Sequence, residues 1–199
     1  MSDLLVVVAK PVGKPVSLAE AKTHLLITDV SYDGTYLSAL LEAATLFGEN
    51  YTRREFRATT FILYADTFQV RQSLPREVES VDEVAHLVSA SYAAVASSVY
   101  YVKRDDWDAE VLLQDEQEWP DTTDDGVEHA IRYSFTARPC SDLALVKQAI
   151  LLHVSYMYEN RGDCPMETGV SSSDGAVAGN TAKACGAATL YDQLRVPRF

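Results

Sequence analysis

The stretch from Pro139 to Gly162, PCSDLALVKQAILLHVSYMYENRG, constrains the fold more than any other part of the chain. Proline cannot carry a strand ladder onward, and Ser141 or Asp142 just after it can accept a hydrogen bond from a free N–H at a helix start. Leu143, Val146, Ile150, Val154 and Met157 then recur at helical spacing, and Leu145, Ala149, Leu152 and Tyr156 form a second apolar row. A helix that is apolar on two sides has to be covered on two sides. Gly162 suits the left-handed residue that stops a helix. The spacing predicts a long central packing helix over 142–161, and the rest of the fold must cover it.

Two helices are expected upstream. Ser17-Leu18-Ala19-Glu20 is a capping box, in which the serine caps the first turn and the glutamate reaches back to the serine N–H. Leu18, Ala21, Leu25 and Leu26 give that helix, over 17–27, one apolar face. Asp33 offers a second cap, followed by Tyr36, Leu37, Leu40, Leu41, Ala44, Phe47 and Tyr51 at helical spacing over 33–52. Arg53 and Arg54 follow where cations favour the negative end of a helix. A short polar link between them makes a helical hairpin.

Composition changes after Arg57, and the segment 58–137 is rich in β-branched and aromatic residues. Thr59–Ala65, Phe68–Arg71, Ser97–Arg104, Ala109–Leu113 and Glu128–Ala137 read as strands, and Val78–Val88 has strand composition with weak alternation. Asp105-Asp106 fits the turn of a hairpin. Leu4–Ala9 reads as a short strand or extended arm, with Pro11 and Pro15 holding the next residues extended. Five or six strands between helical regions predict an antiparallel sheet and an α+β chain. Past Gly162, residues 163–189 have the Gly, Ala, Ser and Thr content of a flexible linker. The end is different: Leu190, Tyr191, Leu194, Arg195, Val196, Pro197, Arg198 and Phe199 combine apolar and basic character in a C-terminal docking tail over 190–199.

Chemistry is sparse. The net charge is −12, which disfavours a broad phosphate-binding face. Cys140, Cys164 and Cys185 form no CxxC pair and read as reduced thiols. His24, His86, His129 and His153 have no metal-ligand spacing; His153 reads as a core residue of the central helix and His129 as a strand residue. No phosphate loop, dinucleotide fingerprint or nucleophile elbow occurs. Two acidic clusters, Asp105, Asp106 and Asp108 around Trp107 and Asp121, Asp124 and Asp125 before Gly126, could hold a hard cation. They lack a complete calcium loop and read better as solvated turns. The N-terminus has neither the basic start nor the length of a signal peptide, and no run is long enough to span a bilayer.

Four blocks occur in order: PVSLAEAKTHL (Pro15–Leu25), ENYTRREF (Glu49–Phe56), VKQAILLHVSYMYENRG (Val146–Gly162) and LYDQLRVPRF (Leu190–Phe199). Together they resemble the head–tail connector, or adaptor, proteins of tailed bacteriophages and gene transfer agents. The resemblance covers both ends, and the middle only through its order of elements.

It implies a structural virion protein of the neck, assembled in the host cytoplasm, with no catalysed reaction and no cofactor. Such proteins form a ring, usually of twelve copies, beneath the portal protein, extend the DNA channel and offer a surface to a stopper or tail-completion protein. The resemblance places portal contact on 190–199, with Arg195 and Arg198 meeting portal carboxylates and Val196 and Phe199 filling apolar pockets. The acidic charge would then line a bore that lets DNA pass without specific binding. The sequence-level expectation is an adaptor core over 1–162, a linker over 163–189 and a tail over 190–199. Two rival readings are a small cytosolic metal-assisted hydrolase using the acidic loops, and a monomeric binding module.

Overall fold

Ser17 and Glu20 close the first helix in the computed structural model, which describes residues 3–10, 13–29, 34–105, 109–121, 127–160 and 182–196. The Glu20 N–H donates to Ser17 Oγ at 3.2 Å and the Ser17 N–H donates to Glu20 Oε2 at 2.7 Å, completing the capping box. Helix α1 runs Leu18–His24. Lys147 Nζ donates to Glu20 Oε1 at 2.6 Å, and that bond, with those from Ser17, holds the glutamate carboxyl down at about 2. The chain leaves α1 through Leu26, which has a φ of 55° and is 84% exposed.

Helix α2 runs Thr35–Thr52 and buries Leu37, Leu41, Ala44 and Gly48 along one face. Asp33, expected to cap it, lies outside the described residues; Gly34 stands at the cap position without a side-chain bond. Arg53, with a φ of 60°, ends the helix in the left-handed region. Helix α3 runs Leu143–Glu159, and its cap position falls on Asp142. No side-chain capping bond forms there; the first turn is held by the Val146 N–H on the Asp142 carbonyl at 3.0 Å. Val146, Ala149, Ile150, His153 and Val154 are buried, while Leu145, Leu152 and Met157 pack half-buried at the flanks. Leu143, placed by spacing on the first stripe, is 47% exposed in the first turn of the helix. Gly162, the expected stop, lies outside the described residues; α3 ends at Asn160, whose N–H and side-chain amide both donate to the Tyr156 carbonyl.

The expected linker is partly helical. Residues 182–184 form a helical turn, and helix α4 (Ala187–Leu194) packs on α2 and α3. Ala187, Ala188, Tyr191 and Leu194 supply its apolar face, the reason it docks. Gly186 precedes it with a φ of 77°, a conformation that costs glycine little.

The strands are β1 (Leu4–Ala9), β2 (Thr59–Ala65), β3 (Arg71–Leu74), β4 (Val78–Val88), β5 (Ser91–Ala94), β6 (Tyr100–Arg104), β7 (Ala109–Leu113) and β8 (Ile131–Ala137). All pairings are antiparallel, in a five-stranded sheet of order β1-β2-β8-β4-β5 and a three-stranded sheet of order β3-β7-β6. Strict alternation sets the register: Phe61, Leu63 and Ala65 of β2 face Phe135, Tyr133 and Ile131 of β8, all buried. Each large apolar side chain so covered is worth about 1.5–3 kcal/mol.

Strand β4 shows weak alternation because its pairing with β8 shifts register twice, between Val78 and Ser80 and between Val81 and Glu83. Phe68 is not in a strand, contrary to the spacing; its ring stacks on Trp119 at 4.5 Å, and β3 starts at Arg71. The hairpin from β4 to the unexpected β5 turns through Ser89 and Ala90, both at positive φ, 48° and 66°. The described residues therefore hold seven strands between α2 and α3, where five or six were expected.

Where the sequence suggested one core over 1–162, the contacts separate into two units. A β unit takes residues 1–12 and 57–139, and a helical unit takes 13–56 and 140–199. Each has its own hydrophobic cluster: Phe61, Ile131, Tyr133 and Phe135 centre the first, and Leu37, Leu41, Ile150 and Tyr191 the second. The α+β class holds, with helices and strands segregated along the chain.

Candidate docking surface

Helix α4 is positioned by a recess on α2. Gly48 makes that recess: a Cβ there would stand 2.6 Å from Phe56 Cε2 and 2.8 Å from Tyr191 Cε1. The absent side chain lets the Tyr191 ring settle among Phe47, Tyr51, Phe56 and His153, with centroids 5.9, 6.2, 6.4 and 6.4 Å away. Tyr191 is fully buried, its hydroxyl donating to the Ala44 carbonyl at 3.4 Å, and burial pushes its phenol well above the ordinary value. Leu194, one turn on, is buried in the same cluster.

The outer side of α4 is tied down by polar contacts. Tyr51 donates its hydroxyl to Asp192 Oδ1 at 2.7 Å, and that bond raises the Tyr51 phenol above its usual range. The Arg195 guanidinium lies 5.4 Å from the centre of the Tyr51 ring, and the Val196 N–H donates to the Thr52 carbonyl at 3.1 Å. The end of α2 thereby holds both the last helix and the first residues beyond it.

In the structure the segment 190–199 starts inside a packed helix. Tyr191 and Leu194 are core residues and Leu190 is half-buried, so these three do not present a free docking face in this conformation. The apolar pattern that suggested a recognition peptide is the buried stripe of a short helix. Arg195 is exposed and Val196 half-buried; Pro197, Arg198 and Phe199 lie outside the described residues. Among the described residues of this segment the exposed basic group is Arg195, one position beyond the anchored helix. Gly48, Thr52, Phe56 and Asp192 take part in that anchoring and were not singled out from sequence, because only the partner across the packing gives them their role.

The remaining candidates are structural or lie elsewhere. His153 is buried against Phe47, with ring centroids 5.1 Å apart, and desolvation lowers its imidazole to about 4, as a core residue requires. His129 is not in a strand: it precedes β8 with a φ of 63°, its N–H on Asp66 Oδ1 and its carbonyl accepting from the Tyr92 hydroxyl. Cys140 and Cys185 are free thiols, and Cys164 lies outside the described residues. Of the acidic clusters, Asp105 is exposed beside Lys103 at 3.8 Å and Asp121 is exposed; Asp106, Asp108, Asp124 and Asp125 lie outside the described residues. No group of three or more His, Cys, Asp or Glu converges on a metal position among the described residues. The groove around Lys14, Leu18, Ser38 and Glu42 is open, and Lys14 Nζ is occupied by Ser38 at 2.9 Å and Glu42 at 3.6 Å. No described helix is long and apolar enough to cross a membrane.

No protein-family model matches the sequence, and no curated protein matches it. Solved structures do match, over nearly the whole chain. A chain from the neck of an empty gene transfer agent particle, computed with sixfold symmetry, superposes with a TM-score of 0.67 at 19% identity, covering 98% of this chain and 97% of that one. A chain from the virion of a native gene transfer agent particle gives 0.68 at 20% identity, and one from a native neck computed with twelvefold symmetry gives 0.66 at 21%, with the same coverage. The α+β fold described above, both units included, is the fold of those chains.

Proposed function

We propose that this chain is a structural protein of a virion neck, one copy of a ring that joins a portal protein to the next neck or tail component and extends the DNA channel. The observation that carries the reading is the full-length match to chains from particle necks, with 98% of this chain covered and structures computed with sixfold and twelvefold symmetry among them. A ring of identical copies suits a chain whose described residues pack into two hydrophobic clusters. The acidic surface fits the same role. A bore of the same sign as DNA repels phosphate and lets the duplex slide, and the chain carries a net charge of −12.

Within this reading, the portal is met by the basic end of the chain, Arg195 to Phe199, while Leu190, Tyr191 and Leu194 anchor it to the helical unit. Deleting 190–199 would take Tyr191 and Leu194 out of a core, so loss of binding by that variant would report folding as much as docking. The deciding variant removes 197–199 and carries Arg195→Glu. We expect it to keep the 222 nm circular dichroism of the wild type, to melt no more than about 4 °C lower for the lost Arg195–Tyr51 contact, and to lose co-sedimentation with its cognate portal. Undiminished portal binding would refute this assignment of the tail.

A further inference from the structure

Strand β1 is an edge strand of an unusual kind. Among the described residues it pairs with β2 alone, so one row of its backbone N–H and C=O groups has no strand beside it. Its sequence is LLVVVA, without a charge or a proline, and Leu4, Val6, Val7 and Val8 are 45, 38, 48 and 55% exposed. Only Leu5 packs into the β cluster. The strand thus shows apolar side chains on both faces as well as an open ladder. Chains that stay single guard such edges with lysine, proline or a covering loop; here the one irregularity is a register shift between Val7 and Ala9. At about 3.3 Å per residue the open edge is roughly 20 Å long, enough for a strand-to-strand contact.

We infer that the free edge of β1 is a contact between neighbouring copies of this chain, the partner adding backbone to the open ladder and covering Leu4, Val6 and Val8. The inference rests on the ring reading above and gives it a surface. The sixfold and twelvefold symmetry of the necks that hold the similar chains favours a second copy as the occupant. Copies that each carry a net charge of −12 repel one another overall, and an uncharged strand such as β1 is ground on which that repulsion is least. In a closed ring the contact is head-to-tail, and β1 meets a different patch of the next copy.

The test places a photo-reactive benzoylphenylalanine at Val8 in particles assembled in the producing cell, alongside a Val6→Glu/Val8→Glu variant. An adduct of twice the chain mass, containing this chain alone, is expected, together with at least a tenfold loss of the double variant from purified particles. The purified double variant should melt within about 4 °C of wild type, since both side chains are exposed in part and such surface changes cost about 0.5 kcal/mol each. An adduct with another protein, a link only within one chain, or a ring in the particle with no link at β1 would overturn the inference while leaving the neck reading intact. Absence of the wild-type chain from particles would overturn both.

Discussion

Replacing Tyr191 by alanine removes a ring with no exposed surface that touches both α2 and α3. Phe47, Tyr51, Phe56 and His153 surround it, so the vacated volume is walled by large side chains of α2, the turn after it and α3, and has little freedom to collapse. Aromatic-to-alanine changes at such positions cost about 3–5 kcal/mol. For a chain of this size a loss of that order lowers the melting temperature by roughly 6–20 °C. Trp107 and Trp119 both belong to the β unit, so indole fluorescence is the wrong probe. Circular dichroism at 222 nm follows the helices instead. Limited proteolysis should also cut the variant ahead of α4, since a helix of eight residues has little stability of its own once its anchor is gone. A melting shift below about 2 °C, with the C-terminal segment no more protease-sensitive than before, would refute the reasoning. Helix α4 would then be a passenger on the helical unit.

Gly48→Ala tests the same recess from the other side. It gains about 1 kcal/mol of helix propensity but forces a methyl into two buried rings, so the balance is a net destabilisation of about 1–2 kcal/mol in urea melts; a more stable variant would contradict the packing. His153 gives a pH signature. Burial lowers the folded-state imidazole to about 4, whereas the unfolded chain takes up the proton near 6.5, so stability should fall as pH drops from about 6.5 to 4 and lose nothing more from this group below that. His153→Leu should flatten that part of the melting-temperature profile, and an unchanged slope would show that the histidine is not the group responsible.

Local chemistry made some of this fold legible and hid the rest. The capping box at Ser17 and the stripe Leu37, Leu41, Ala44 are visible because their partners lie within one or two turns. Strand β2 is visible because it is rich in β-branched and aromatic residues, and β8 because its residues alternate. Strand β4 is blurred because its two register shifts break the alternation, and β5 is lost because Ser89 and Ala90 take positive φ without the Gly or Asn that announces such a turn. The division into two cores is also hidden, since β1 and the middle of the chain join across the helices α1 and α2 that intervene in sequence. Helix α4 shows the limit for the site itself. Tyr191 and Leu194 have the spacing of a docking peptide and of a buried stripe alike, and only Gly48, far away in sequence, decides between them. The basic character of Arg195 and Arg198 was readable, because charge needs no partner to be seen.

Reconstruction of the neck by electron cryo-microscopy, from particles carrying an affinity label on this chain, tests the central claim most directly. The expected result is labelled copies arranged as a closed ring around the DNA conduit, directly below the portal. Copies located on the capsid shell, along the tail or outside the particle altogether would contradict it.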